Sequence, residues 1–432
     1  MKKITIGIIG FGTVGSGLYR LIRQNGELIG LRKGISVEVK RVCDLRKDYV
    51  TKNTENVAVT DRWQDITGDP GIDIVVELIG GLEPAKTIIM EALRGGKSVV
   101  TANKKLLAEK GYEIFQSTGK NGVKLGFEAA VGGGIPCILA LKQGLVGNKI
   151  KSIMGILNGT TNYILTRMDE THRSYEDALR EAQQKGFAEA DPTADVEGFD
   201  AGHKISLLSM IAYGKRVDYS SVLTEGISQI NEIDLSYARD MGYVIKLLGI
   251  AKETGGVLDI RVHPTMIPMT HPLASVRNEF NAIMYDGDMT DPVILYGKGA
   301  GSLPTASAVL SDIIQIAEKM EIQEQALLTS GDAVYIGPES RLSRYYLRIH
   351  SHDRPGILSK ISGVLGNHGI SIASVIQREN VADDEFLPLI IMTHESREKN
   401  LFEAVKEIND FKFVGKNVVV IRVEDSLQAG EK

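Results

Sequence analysis

The chain has 432 residues, 43% hydrophobic and 24% charged, the composition of an ordinary soluble globular protein with room for about three domains. Its formal net charge of -5 offers no broad positive field, so neither nucleic acid nor a membrane surface is expected as a partner. Cys43 and Cys137 stand far apart without redox or metal-ligand spacing and read as reduced core thiols.

Lys2 and Lys3 precede an apolar run, as in a secretory signal, but the run is short and GFGTVG stands where a small-residue cleavage site belongs. No stretch reaches the roughly 18 apolar residues of a membrane span, which makes a cytoplasmic location the expectation. Residues Lys3 to Ile9 read as a buried strand, followed by a glycine-rich turn and a helix from Thr13 to about Gln24. Asn25 to Gly34 reads as an inserted polar loop. Ser36 to Cys43, Asp73 to Ile79, Ser98 to Thr101 and Val123 to Phe127 are further strands, with a helix from Pro84 to Arg94 stopped by Gly95 and Gly96. Strands alternating with helices predict a doubly wound parallel sheet of the Rossmann type.

Within GFGTVG, Gly10 permits the tight turn, Gly12 lets a pyrophosphate approach the backbone, and Gly15 lets the helix pack on the strand. Phe11, Thr13 and Val14 complete this segment, and the helix start offers unpaired N–H groups to phosphate charge. Asp44, at the end of the second strand, is placed for the adenosine ribose hydroxyls and favours NAD. Arg46 suits a 2′-phosphate and tips the balance slightly towards NADP, although with Lys47 it also reads as a solvated turn.

Beyond Pro136 the pattern changes to longer helices and sparser strands, including a strand from Ile150 to Leu157 and a helix from Ser174 to Lys185 with Ser174 and Asp177 in capping-box spacing. A helix starting near Gly198 would put Asp200 and Lys204 one turn apart on a single face. KGAGSLPT, from Lys298 to Thr305, reads as a loop containing Gly301, followed by a helix through Ala317 that returns to the first domain. ESRLSR, from Glu339 to Arg344, reads as a polar linker. From Arg344 to Glu424 the order strand, helix, strand, strand, helix, strand is ferredoxin-like, with its first helix running from Pro355 to Gly369. The resulting division is a cofactor domain at 1–136 and 303–338, an α+β substrate and dimerisation domain at 137–302, and a βαββαβ domain at 344–424. His203, His352, His368 and His394 are scattered over separate elements, and no transition-metal site is expected.

Three segments carry a family resemblance: FEAAVGGGIP from Phe127 to Pro136, GILNGTTNYIL from Gly155 to Leu165, and GFAEADPTADVEGFDAGHK from Gly186 to Lys204. Together with KGAGSLPTASAV they make the chain similar to homoserine dehydrogenases over most of its first three quarters. LRIHSHDRPGIL and LGNHGISIASV resemble ACT domains, small modules that bind amino acids at subunit interfaces.

The resemblance implies NAD(P)-dependent interconversion of homoserine and aspartate semialdehyde on the route to threonine, methionine and isoleucine. It implies that Glu189 and Asp195 hold the substrate amino group, that Gly159 and Thr160 lie close to substrate or nicotinamide, and that Asp200, Lys204 and Lys104 surround the reacting hydroxyl. A lysine acts as base only if its pKa falls, which desolvation and a second ammonium favour and Asp200 opposes. Lys105 falls outside the matching motif and is expected at the surface. Phe187 departs from the tyrosine frequent in relatives.

The resemblance further implies a monovalent cation, sodium or potassium, on carbonyls of Glu128, Val131, Gly133 and Ile135, although a plain turn joining two domains fits the same residues. Asp353, Gly356, Ile357, Leu358 and Asn367 are the implied effector residues, with threonine as effector and a homodimer or homotetramer as assembly. Two other readings stand beside this one: another NAD(P)-dependent amino-acid or semialdehyde oxidoreductase, and a catalytically silent nucleotide and amino-acid sensor. Nothing resembles an aspartate kinase.

Overall fold

The structure is a computed structural model that describes residues 1–320, 327–328, 331–378 and 385–425, with the side chains of 119–121 set aside. Its first sheet grows from Lys2–Ile9 (β1), whose final four residues are all buried. Ile35–Cys43 (β2), Ala58–Thr60 (β3), Ile74–Glu77 (β4), Ser98–Thr101 (β5) and Leu125–Gly126 (β6) join it, all parallel, in the order β3-β2-β1-β4-β5-β6. The strand order reverses beside β1, and ligands of such sheets bind outside the carboxyl ends of the strands at that reversal.

The helix after β1 runs from Thr13 to Lys33, so the loop expected at Asn25 to Gly34 is instead about two and a half further turns of helix. A Cβ at Gly30 would lie 2.8 Å from the Met1 sulfur, so this glycine serves close packing, and the stop falls at Gly34 with φ +65° behind Arg32 and Lys33. The helix Ser302–Glu318 lies against it, and Ala306, Val309 and Ile313 share one core with Ile4, Ile6 and Leu18. The Ser302 hydroxyl donates to the Thr13 carbonyl at 2.6 Å, which fixes the 298–301 turn beside the glycine loop.

The region after Pro136 holds more strand than expected. Ile150–Ile156 (β7), Tyr243–Thr254 (β8), Val257–Pro268 (β9), Phe280–Gly287 (β10) and Val293–Lys298 (β11) form one antiparallel sheet. β8 and β9 make a long hairpin closed by Gly255 and Gly256, whose φ values of +59° and +86° are those of a type I′ turn. Glycine-glycine between two apolar runs was the available signal for it.

The C-terminal unit has the expected order: Leu342–Ser351 (β12), a helix Ile357–Asn367, Ile372–Gln377 (β13), Leu387–Thr393 (β14), a helix Glu398–Asn409 and Val419–Val423 (β15). Its first helix starts two residues later than expected, after Gly356 with φ +88°. β15 pairs with β9 through Thr265↔Arg422 and Met266↔Val423, so both units share one sheet ordered β11-β10-β7-β8-β9-β15-β12-β14-β13. The run 339–344, expected as a polar linker, is exposed at Glu339 and Ser340 but enters β12 at Leu342. Arg341 is buried, with Nε donating to Asp259 at 3.0 Å and Nη1 to Glu398 at 2.9 Å. Among the described residues no helix is long and apolar enough to cross a membrane.

Candidate active site

A cleft of about 780 Å³ opens between the glycine loop and the second sheet, lined by Val14, Lys104, Gly159, Glu189, Asp195, Asp200, Lys204 and Gly301 among others. On the loop side, Gly10 has φ +99°, and a Cβ at Gly15 would stand 2.2 Å from the Gly10 carbonyl oxygen, so only glycine fits at either position. Gly12 faces open space, where a pyrophosphate can approach the backbone and the helix start. Phe11 is buried with its ring near Tyr19 and Tyr49, and Thr13 opens the helix.

Asp44 accepts from the Phe11 N–H at 2.8 Å and from Arg46 Nε and Nη2 at 3.1 and 3.2 Å. Burial would raise its pKa, but the Arg46 hydrogen bonds outweigh that and hold it below the usual carboxylate range. The Arg46 guanidinium lies 5.1 Å from the Tyr49 ring centre and remains largely exposed, whereas Lys47 is taken up by Asp61 at 2.9 Å.

At the other end of the cleft the helix Phe199–Tyr213, capped by Gly198 with φ +82°, places Asp200 and Lys204 on one face as expected. Lys204 Nζ donates to Asp200 Oδ2 and to the Leu157 carbonyl, each at 2.6 Å. Lys104, in the first turn of the helix Lys104–Asn121, reaches the other oxygen of Asp200 at 3.0 Å. One carboxylate thus sits between two ammonium groups.

Burial opposes the charge of Asp200, yet Lys204 and Lys104 prevail and keep it well below the usual range. Asp200 also raises the pKa of Lys104, the opposing influence prevailing over burial, so the resting form of Lys104 is the ammonium. The Lys104 side chain is 40% exposed, and Lys105 points away into solvent.

Asn158 has a role that the sequence did not indicate. It caps the helix Gly159–Thr171 through Thr161 N–H at 2.9 Å, and its amide donates to Asp195 at 2.7 Å and to Asp200 at 2.9 Å. Both carboxylates are oriented by this one amide. Burial, then the charge of Asp200, push Asp195 upward in pKa.

Glu189 is exposed at the rim; its main-chain carbonyl accepts from the Gln183 amide at 3.1 Å, and its carboxylate makes no hydrogen bond or ion pair among the described residues. A Cβ at Gly159 would meet the Glu279 carbonyl at 2.5 Å, and the Thr160 hydroxyl donates to the Phe187 carbonyl at 2.6 Å, so Thr160 fixes the 186–189 turn. Phe187 packs on Tyr163, whose hydroxyl donates to Glu181 at 2.8 Å, so that hydroxyl is already engaged.

The implied cation residues cluster beside the cleft. The Glu128 carboxylate accepts from the N–H groups of Ile138 and Leu139 at 2.9 and 2.7 Å, and burial pushes its pKa up to about 7. The Val131 carbonyl accepts from Cys137 Sγ at 3.1 Å, the Ile135 carbonyl from Cys137 N–H at 2.7 Å, and Gly133, with φ +57°, lies against Gly299. Each carbonyl keeps a second lone pair, an oxygen set suited to a hard monovalent cation. Among the described residues no group of three or more His, Cys, Asp or Glu is placed for a metal.

In the C-terminal unit Asp353, Gly356, Ile357 and Leu358 gather where the helix Ile357–Asn367 begins, and Leu358 is exposed. Asn367 lies at the far end of the same helix, so one chain does not bring all five residues together.

Comparison with known proteins agrees with this arrangement. Residues 10–128 match the family profile described as homoserine dehydrogenase, NAD binding domain; 136–314 match homoserine dehydrogenase; 345–413 match the ACT domain. Homoserine dehydrogenases of Neisseria gonorrhoeae and Pseudomonas aeruginosa are each 41% identical, over 98% of this chain and 99% of theirs. The crystal structure of a homoserine dehydrogenase from Thiobacillus denitrificans superposes with TM-score 0.93 at 42% identity, covering 98% of this chain and 99% of that one. A hyperthermophilic archaeal homoserine dehydrogenase solved with NADPH covers 75% of this chain and 99% of its own, with TM-score 0.62 and 28% identity. By fold, by site and by these full-length matches, the chain belongs to the homoserine dehydrogenase family and carries a C-terminal ACT domain.

Proposed function

We propose that the chain interconverts L-homoserine and L-aspartate 4-semialdehyde with NADP(H), and that Lys104 and Lys204, bridged by Asp200, manage the proton and charge on the reacting oxygen. The observation that carries this reading is that bridge, set in the same cleft as the glycine loop. When bound, the nicotinamide supplies the hydride acceptor or donor. Lys104, an ammonium at rest, is ready to give a proton to the aldehyde oxygen as it is reduced, and must lose that proton before homoserine is oxidised. Lys204, fixed by two 2.6 Å bonds, holds positive charge where negative charge develops.

Glu189 and Asp195 face the substrate ammonium, and Gly159 and Thr160 shape the wall beside it. The cofactor unit is 1–136 with 303–320, the substrate unit 137–302 and the regulatory unit 344–424; residues 331–338, expected in the cofactor unit, pair instead with the substrate sheet, Val334–Tyr335 lying against Val257 and Leu258. Gly10 to Gly15, with Gly301 across the cleft, hold the dinucleotide. The main-chain oxygens of Glu128, Val131, Gly133 and Ile135 hold a monovalent cation that braces the junction. An assay of homoserine-dependent cofactor reduction, run with NAD and NADP in turn, tests the reaction: turnover with homoserine supports it, and a folded, cofactor-binding protein without turnover refutes it.

NADP is favoured because Arg46 neutralises Asp44 and extends into solvent at the ribose end of the loop. Arg46→Ala is expected to raise KM for NADP about 10-fold while changing that for NAD about 2-fold or less, measured with homoserine saturating. Equal effects on the two cofactors would refute the assignment.

Threonine is the effector we assign to the ACT domain, at an interface between two copies in a homodimer or homotetramer, a reading supported by the separation of Asn367 from the Asp353–Leu358 loop along one helix within the chain. Asp353→Ala in the full chain is expected to shift threonine inhibition to about 10-fold higher concentration without changing uninhibited turnover. Wild-type inhibition that persists unchanged in this variant would exclude the site. A chain cut near Glu339 is a poor test, since it strips β15 from β9.

A further inference from the structure

The C-terminal unit reaches the substrate region at one point where charge, backbone and shape converge. Arg422, on β15, is 1% exposed. Its Nη1 and Nη2 donate to the two oxygens of Glu225 at 2.7 and 3.0 Å, and Nη2 also donates to Glu398 at 2.6 Å. The second oxygen of Glu398 is held by Arg341, so Arg422 is anchored from behind. Burial would raise the pKa of Glu398, but Arg422 and Arg341 outweigh it and keep the group ionised.

Glu225 follows the two-residue strand Leu223–Thr224 and donates its N–H to Val262 of β9 at 2.8 Å. The next residue, Gly226, lies backbone against backbone on the substrate loop: a Cβ there would stand 2.3 Å from the Val196 carbonyl oxygen. Ile227 N–H donates to that same oxygen at 2.8 Å. A Cβ at Gly198, the cap of the helix bearing Asp200 and Lys204, would stand 3.2 Å from both the Glu225 carbonyl oxygen and Thr224 Cγ2. The turn Val196–Gly198 lies between Asp195 and Asp200 in sequence and is gripped along its length by 224–227.

We propose that Arg422 and Glu225 are positioning residues for substrate binding: through this ion pair the C-terminal unit holds the Val196–Gly198 turn, and with it the placement of Asp195 relative to Asp200. The proposal rests on the reading of Asp195 as a carboxylate for the substrate ammonium, and it needs no effector. A two-toothed guanidinium–carboxylate pair fixes direction as well as distance. Misplacement of a binding group by about 1 Å can cost as much as 100-fold in rate.

Glu225→Gln in the full chain keeps the side chain's shape and leaves Arg422 its bond to Glu398. It is expected to raise KM for homoserine about 5- to 10-fold with kcat within about 2-fold and cofactor affinity unchanged. Amides 193–199 should exchange deuterium faster than in the wild type. Arg422→Lys, which loses the fork but keeps the charge, should act in the same direction. Lys252→Met removes a different ion pair of the same sheet, Lys252 to Glu424 at 2.8 Å, and should leave KM for homoserine unchanged.

Folded Glu225→Gln and Arg422→Lys proteins with wild-type KM and exchange would overturn the proposal, as would an equal rise in KM from Lys252→Met. Asp195→Asn keeps the two readings apart. An unchanged KM there sinks the ammonium assignment, while a raised KM there with wild-type Glu225→Gln sinks the positioning role alone.

Discussion

Lys204→Ala is expected to lower kcat about 10³-fold while leaving cofactor affinity near the wild-type value, the range over which a positioned acid–base or charge-stabilising group commonly acts. It should also lower stability by about 3 kcal/mol, because Asp200 stays buried with one cation fewer and the Leu157 carbonyl loses its donor. Lys104→Ala is expected to approach the same loss of turnover at a stability cost of about 1 kcal/mol or less, since its side chain is 40% exposed. Turnover, thermal unfolding and cofactor titration on the two proteins separate chemistry from folding. Near wild-type turnover in both would remove the lysines from the mechanism.

Asp200→Asn should lower kcat about 100-fold and also change how activity depends on pH. Asp200 raises the pKa of Lys104, so its neutral replacement lets Lys104 lose its proton at lower pH. Oxidation of homoserine needs the neutral amine, and its rising limb therefore moves to lower pH in the variant; a limb that stays in place contradicts the assignment. Stability gives a second readout with the opposite ionisation. The folded pKa of Asp200 lies below the unfolded value of about 4, so the wild type has this contribution above that pH and loses it as pH falls further. The variant should lack that component of acid destabilisation.

Short-range chemistry was the part of this molecule most open to reading from sequence. Gly10 and Gly15 declare their turn because no other residue tolerates the geometry, and Asp200 with Lys204 declare one helix face because their spacing equals a turn. Judgements made from single residues were weaker. Asn25 to Gly34 looked like a polar loop and is helix through Lys33. ESRLSR looked like a polar linker because the partners of Arg341, Glu398 and Asp259, lie about 60 to 80 positions away.

What depends on contacts distant in sequence was not legible at all. The joining of β15 to β9, the span of Asn158 across two carboxylates and the grip of Arg422 on Glu225 each need the tertiary fold before they exist. The same holds for Lys104, where the balance between desolvation and Asp200 is decided by Asp200 lying between the two lysines.

Hydride transfer itself can be followed with homoserine that carries two deuterium atoms on its hydroxyl-bearing carbon. The account predicts reduced cofactor holding one deuterium per turnover and a semialdehyde product retaining the other. Cofactor reduced without label, or no reduction by a folded protein that binds the cofactor, would contradict it.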